Sequence, residues 1–487
     1  MSAADTRTAH GPGGIGHAVV IGGGISGLAA AHRLLDGGAR VTVLEASGRL
    51  GGKLRAGAIA GVPVDLGAES MLARRPEAVE LARAVGLGER LQPPTTATAS
   101  LWTRAALRPM PKGHVMGVPG DLGPLAASGV ISPEGLARIE EDARLPRTEV
   151  GADVAVGEYV ARRLGREVVD RLVEPLLGGV YAGDAYKISM RAAVPQLFEA
   201  ARTHRSLLDG VRDIQARSAA AVHQIGPTAT GPVFMGIDGG IGTLPGAVAE
   251  AVRAKGGEIR TGTPVTDVRR IPDGWRITLD GASLTADAVV LATPAQDAAR
   301  LLAHVCKPAV AELTTVEYAS MALVTMAFRR SDVAARLTGS GFLVPPVDGR
   351  KIKASTFASN KWGWIGGADP DLFVLRTSLG RHGDEEDLAR EDSELVDFSR
   401  TDLREAVGLT AAPVATEVTR WHGGLPQYPV GHLERVARIR DAVAQLPGLR
   451  VCGALYDGVG IPACIASAHK AADDVLGTLR PLGAAGE

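Results

Sequence analysis

The sequence predicts an α/β fold, and three observations carry that prediction. An apolar strand, a glycine turn and an Ala/Leu-rich helix stand near the start, over residues 18–35. Strands and helices alternate again over residues 234–295, and a last strand, glycine turn and helix run over residues 449–476. Alternation of this kind predicts a parallel sheet. Its wide separation along the chain predicts one discontinuous domain with other segments inserted between its parts.

The first unit is the most specific. Ala18-Val19-Val20-Ile21 leads into Gly22-Gly23-Gly24-Ile25-Ser26-Gly27, with Gly22, Gly24 and Gly27 at G-x-G-x-x-G spacing. The first glycine permits the tight turn, the second lets a pyrophosphate approach the backbone, and the third lets helix and strand pack closely. The following helix offers free N–H groups and its positive dipole end to phosphates. Gly37-Gly38 ends that helix, and Arg40 to Glu45 reads as the second strand. Glu45 stands about twenty residues past the turn, where its carboxylate can accept from a ribose diol. The unit is therefore Rossmann-like. Ala46 follows, then Arg49, Gly51, Gly52 and Lys53, which bring backbone and a cation back toward the phosphates. Val64 to Ser70 forms a strand-to-turn element in which Gly67, Ala68, Glu69 and Ser70 permit close approach to a ligand.

Pro76 opens an expected helix over 76–92, and 101–131 reads as loop. A helix is expected over 157–177, with Val160, Leu164, Val168, Leu172 and Leu176 on one side. Arg162, Arg163, Arg166 and Arg171 read as its solvated face, and Gly178-Gly179 as its stop. Residues 205–231 read as an irregular connection. In the middle block, Thr243 is the expected N-cap of a helix, and Asp280-Gly281 a hairpin turn. Strands are expected at 322–328 and 372–376, and an acidic helix over 384–407. The expected division is a flexible leader at 1–16; a dinucleotide domain at 17–75, 232–304 and 436–480; a helical, membrane-facing and substrate subdomain at 76–204; an α+β substrate-binding domain at 205–231 and 305–435; and a tail at 481–487.

Composition narrows the function. With 487 residues, 45% of them hydrophobic, the chain can bury a large core. A net charge of −1 gives no electrostatic case for nucleic acid. Cys306, Cys452 and Cys464 are widely spaced, which excludes a disulfide framework or zinc knuckle. His422 and His432 have no partners at metal-ligand spacing, so no metal site is expected. No apolar h-region stands near the N-terminus, and no stretch of about twenty uninterrupted apolar residues occurs. The expectation is a cytoplasmic protein with at most peripheral membrane contact.

The final helix selects the cofactor. Reduced flavin carries negative charge near N1 and C2=O, and a helix N-terminus there stabilises it by about 0.3–1 kcal/mol, more when desolvated. Val459, Gly460 and Ile461 are the backbone expected to face the flavin of a bound FAD; an ordinary closing helix packed on the sheet is the alternative.

Over residues 17–478 the chain resembles the bacterial coproporphyrinogen III and protoporphyrinogen oxidases of the FAD-dependent, amine-oxidase-like superfamily. The superfamily part is Gly22–Gly27, Glu45-Ala46, Arg49–Lys53 and Gly67–Ser70. The narrower part is Met110-Pro111-Lys112-Gly113, Glu174 to Asp184, Arg420-Trp421-His422, Pro426-Gln427-Tyr428 with Gly431-His432, and Gly458 to Pro462. The stretch from Pro111 to Pro119 looks most like the Gram-positive-type enzymes, which act on coproporphyrinogen III. The resemblance implies an FAD-dependent oxidation in haem biosynthesis. Hydride passes from a meso carbon to flavin N5, protons leave by tautomerisation, and oxygen reoxidises the flavin with release of peroxide. It implies Trp421 as a flavin neighbour, with core packing as the alternative, and Val265 on the adenine side. Substrate propionates need cations, for which Arg75, Lys112 and His114 are candidates, each with a plain surface charge as the alternative. No residue stands out as a catalytic base, and the family's aromatic hydroxyl is absent near Thr377-Ser378. Haem-pathway enzymes are the implied protein partners. Three other readings stay open: a protoporphyrinogen IX oxidase, another FAD oxidase acting on an amine or carotenoid, and a catalytically silent flavoprotein scaffold. Seven Phe, six Tyr and five Trp disfavour the aromatic cage of an amine oxidase.

Overall fold

The computed structural model describes residues 15–225, 231–333 and 337–479. The expected tail, residues 1–14 of the expected leader and residues 226–230 of the expected connection lie outside the described residues.

A five-stranded parallel sheet runs in the order Glu258–Arg260, Arg40–Leu44, His17–Ile21, Ala288–Leu291, Leu449–Val451. The two central strands are buried along their whole length, as a sheet covered on both faces requires. Ala18, Val20, Val41 and Val290 face helices Ile25–Asp36, Leu244–Ala254 and Ile461–Thr478. Val19, Ile21, Val289 and Leu291 face a three-stranded antiparallel sheet around Trp275 and Ile277, and helices carrying Leu301 and Ile439. That small sheet contains the hairpin expected at Asp280-Gly281, with Leu279 opposite Ala282.

A seven-stranded sheet runs Ala415–Pro426, Tyr318–Arg329, Leu372–Leu379, Ile352–Thr356, Gly341–Leu343, Ala99–Thr103, Ala106–Pro109. It packs Met326, Phe328 and Leu375 against Leu395 and Leu403 of helix Asp392–Val407. Its register shifts between Ala319 and Met321 and again between Ile352 and Ala354. Both shifts lie at the end of the sheet where Leu379 pairs with Ala322 and Ile352.

Five expectations need correction. Residues 101–131 hold short strands, the hairpin His114–Val115/Val118–Pro119, and helix Leu122–Ser128 capped by the Asp121 side chain. The helix opened by Pro76 ends at Ala84, and Leu91–Gln92 is a strand paired with Gly236 and Ile237. Residues 207–225 form a helix whose Leu207, Leu208, Val211 and Ile214 bury on one side; the polar average over 205–231 hides that stripe. The 157–177 helix is broken at Gly165 (φ +94°), resumes through a π-helical turn at Val169–Val173, and passes Gly178-Gly179 to end at Ala182. Arg163 stands three residues past Val160, on the buried side of helix Val156–Leu164, and is fully buried against Asp142 rather than solvated. Thr243 does not cap the helix after it, because its hydroxyl donates to the Gly240 carbonyl at 2.7 Å. Asp65 instead caps the short 3-10 turn Ile241–Thr243 that leads into that helix, accepting from the amides of Ile241 (3.0 Å) and Gly242 (2.7 Å).

Candidate cofactor and substrate site

The glycine turn is closed by steric necessity. A Cβ on Gly22 would lie 2.6 Å from the Ala292 carbonyl, and one on Gly27 would lie 1.8 Å from the Gly22 carbonyl. Gly24 is the N-cap of helix Ile25–Asp36, and no side chain caps that helix. Its first-turn amides are therefore left for an anion. Glu45 accepts from the Gly23 amide at 2.7 Å through Oε2, and from the Ser47 amide (2.8 Å) and hydroxyl (2.7 Å) through Oε1. Ala46 beside it is exposed. The Gly51 amide donates to the Gly23 carbonyl at 2.9 Å, and a Cβ on Gly52 would come 3.2 Å from Gly24 Cα. The Thr263 amide donates to the Glu45 carbonyl at 2.9 Å, so the strand that starts at the buried Val265 begins beside the acidic residue. The Val265 carbonyl accepts from Arg300 at 3.0 Å.

The final helix meets this turn. Gly460 is its exposed N-cap, Ile461 is buried, and again no side chain caps it. Val459 is half-buried and packs against the helical core around Leu177 and Tyr428. Cys464 lies in the first turn, and burial pushes its thiol up to about 11 while Ser26, Lys53 and Arg75 pull the other way. That electrostatic contact brings together the Gly22–Gly27 turn, the Gly51–Lys53 loop and the Gly458–Ile461 turn. Burial holds the Lys53 ammonium below the usual lysine range, and it stands 5.6 Å from the Tyr318 ring centre.

A third wall comes from the seven-stranded sheet. A Cβ on Gly67 would lie 2.3 Å from the Lys53 carbonyl and 3.2 Å from Trp421 Cζ2. Trp421 Nε1 donates to the Leu66 carbonyl at 2.9 Å, and the Arg49 guanidinium lies 5.7 Å from the Trp421 ring centre. Ala68 is exposed and Ser70 half-buried, whereas the Glu69 side chain turns inward. It pairs with Lys361 and, at 3.1 Å, with Arg376, whose other nitrogen donates to the Gly67 carbonyl at 2.8 Å. Burial pushes the Glu69 carboxyl up, but Arg376 and Lys361 outweigh it and hold it below the usual range. Glu69 thus secures the turn from behind.

The three candidate anchors separate. Arg75 precedes helix Pro76–Ala84, pairs with Glu77 at 2.8 Å and stays on the dinucleotide side. Lys112 is exposed, and His114 accepts from the Gly117 amide at 3.0 Å within its hairpin. The chain leaving that hairpin packs on helix Leu207–Ile225, where Arg212 donates to the Gly120 carbonyl at 2.8 Å. Tyr318, Lys361, Arg376 and Cys464 were not legible as site residues, because each enters through a pairing between distant segments. Among the described residues, no group of His, Cys, Asp and Glu could hold a metal ion. No helix of the described residues is long and apolar enough to cross a membrane.

Two uncapped helix N-termini and three glycines that admit no side chain fit an extended dinucleotide carrying a flavin. This is the arrangement of an FAD-dependent oxidoreductase. The chain belongs to the family described as flavin containing amine oxidoreductase, whose pattern matches residues 25–476. It is 34% identical to the coproporphyrinogen III oxidase of Bacillus subtilis over 94% of this chain and 98% of that one. It is 37% identical to the coproporphyrinogen III oxidase of Mycobacterium tuberculosis (strain H37Rv), over 94% of this chain and 97% of the other. A crystal structure of a putative protoporphyrinogen oxidase from Exiguobacterium superposes with a TM-score of 0.83 at 32% identity, covering 94% of this chain and 98% of that one.

Proposed function

We propose that this protein oxidises coproporphyrinogen III to coproporphyrin III, with oxygen as the final acceptor and peroxide as its product. The observation that carries this reading is the end-to-end likeness to relatives bearing that name, at 34% and 37% identity. When bound, FAD supplies the hydride acceptor. The protein's own tasks are to bind, orient and exclude water. In this reading the Gly22–Gly27 turn and the uncapped helix after it hold the pyrophosphate. Glu45 and Ala46 meet the ribose, Val265 the adenine side, and Gly52 and Lys53 close over the phosphates. Gly67, Ala68 and Ser70, with Trp421, bound the flavin. Val459, Gly460 and Ile461 aim amides at its ring. Of the three candidate anchors only the exposed Lys112 serves as an outer cation for a propionate, since Arg75 pairs with Glu77 on the dinucleotide side and His114 accepts from the Gly117 amide while burial lowers its pKa. No general base is demanded, because the macrocycle sheds protons as it tautomerises. The protein acts in the cytoplasm, touching the membrane at most peripherally, where haem-pathway enzymes would supply and remove tetrapyrroles.

The test is direct. Purified protein with bound flavin is given coproporphyrinogen III, protoporphyrinogen IX or a primary amine, first without oxygen and then in air. Bleaching of the flavin followed by porphyrin fluorescence, faster with the four-propionate substrate, is expected. Bleaching by the amine alone overturns the reading.

A further inference from the structure

Buried charge in this protein is matched almost everywhere. Arg163 meets Asp142, and Glu69 meets Lys361 and Arg376. Asp65 and Asp402 each accept from two backbone amides. Lys353 and Arg381 are the exception. They are 7% and 9% exposed. Lys353 Nζ donates to the Gly380 carbonyl at 2.7 Å, and Arg381 Nη2 to the Val344 carbonyl at 2.9 Å. No carboxylate of the described residues lies within 4.0 Å of either cation. Glu174 and Asp384 reach Arg381 only at longer range. Burial, and then the like charge of Arg381, push the Lys353 ammonium down to about 7.

Local backbone explains how a lysine comes to sit there. Lys353 falls in the register shift between Ile352 and Ala354, and both Ile352 and Lys353 are buried, so the in–out alternation of the strand is broken. A β-bulge re-aims one side chain in this way. Arg381 follows Gly380 (φ +87°), which ends strand Leu372–Leu379. The next amide, of His382, donates to the Ala182 carbonyl at 2.7 Å, just past helix Glu174–Tyr181. That helix packs over the strands of Leu343 and Lys353. The same end of the sheet carries Tyr318, the second register shift and Trp421. The two cations therefore stand between the Trp421 end of the seven-stranded sheet and the helical layer.

We propose that Lys353 and Arg381 form a carboxylate subsite that takes one propionate of the porphyrinogen. This rests on the reading of the substrate given above. A buried guanidinium beside a buried amine, with no carboxylate in ion-pair reach, is costly, and an entering carboxylate favours the protonated amine and meets both groups through charge-assisted hydrogen bonds. Glu174 does not fill the role. Its Oε2 is held by the Ala185 amide at 2.7 Å, and burial pushes its carboxyl up to about 7.

The test uses the flavin-loaded protein and Lys353→Met, Arg381→Gln and Lys353→Arg. Binding of coproporphyrin III and of its tetramethyl ester is followed by fluorescence titration, alongside KM and kcat for coproporphyrinogen III. Loss of one charge-assisted contact is expected to weaken binding of the free acid roughly tenfold and to raise KM in step. The ester, kcat and the flavin-to-protein ratio should barely move, and Lys353→Arg should restore binding of the free acid. Unchanged binding of the free acid, or equal weakening of the ester, overturns the subsite. If Lys353→Met or Arg381→Gln loses flavin, Lys353→Gln and Arg381→Lys decide the case by the same readouts. Should the unaltered protein fail to oxidise coproporphyrinogen III, the substrate reading fails and takes the subsite with it. Should it succeed while the variants match it, only the subsite fails.

Discussion

The indole Nε1 of Trp421 donates to the Leu66 carbonyl at 2.9 Å, joining residues 355 positions apart in the chain. Leu66 immediately precedes Gly67, so this bond ties one end of the seven-stranded sheet to a turn where a Cβ would lie 2.3 Å from the Lys53 carbonyl. Trp421→Phe leaves the buried Leu66 carbonyl unpaired, and unfolding in urea should register a loss of about 1–3 kcal/mol. The absorption bands of bound flavin should shift as well. A stability loss with an unmoved flavin spectrum would reduce Trp421 to packing.

Gly27→Ala puts a Cβ 1.8 Å from the Gly22 carbonyl, whereas a Cβ at Gly48 meets nothing within 4 Å. The first substitution should cost roughly 1–3 kcal/mol or more, as overpacking does, and lower the flavin-to-protein ratio of the purified protein. Gly48→Ala should match the unaltered protein in both respects. Equal behaviour of the two variants would show that the close approach at Gly27 does not matter.

Glu69→Gln removes the anion that Lys361 and Arg376 share, leaving two cations without their partner. Breaking a buried pair from one side costs about 3–5 kcal/mol. Thermal unfolding should show a lowered midpoint. An unchanged midpoint would mean that water reaches both cations.

His432 stacks on Tyr428 with ring centres 3.9 Å apart, and burial lowers its pKa from 6.5 to about 4. The folded state therefore refuses a proton that the unfolded state accepts below pH 6.5. Stability from this group is complete above that pH and falls as pH drops toward 4, by about 3 kcal/mol in all. Denaturant titrations between pH 7 and 4 should show that decline, and His432→Phe should flatten part of it. An identical pH dependence in the variant would exclude His432 as the source.

The glycine turn is legible in the sequence because its spacing is local: Gly27 is demanded by the Gly22 carbonyl five residues back and Glu45 is set by the length of one strand–helix–strand unit, whereas the Ala292 carbonyl that demands Gly22 comes from far along the chain. The apolar runs of the central strands announce burial on both faces in the same way. Residue type misleads where a charge sits inside a buried stripe or an apolar stripe inside a polar stretch. Arg163 reads as solvated although it lies three residues past Val160 on the buried side of its helix, and the helix at 207–225 disappears into a polar average although Leu207, Leu208, Val211 and Ile214 bury.

By itself the sequence determined the glycine turn, the carboxylate that follows it and the strand, turn and helix near the other end, since each depends on residues close together in the chain. Tertiary structure alone decided where the buried charges find partners. Glu69 gains two cations, Lys361 and Arg376, from a helix and a strand some three hundred residues away. Lys353 and Arg381 are left with none within ion-pair reach among the described residues, and that outcome turns on a one-residue register shift that leaves no pattern in the sequence.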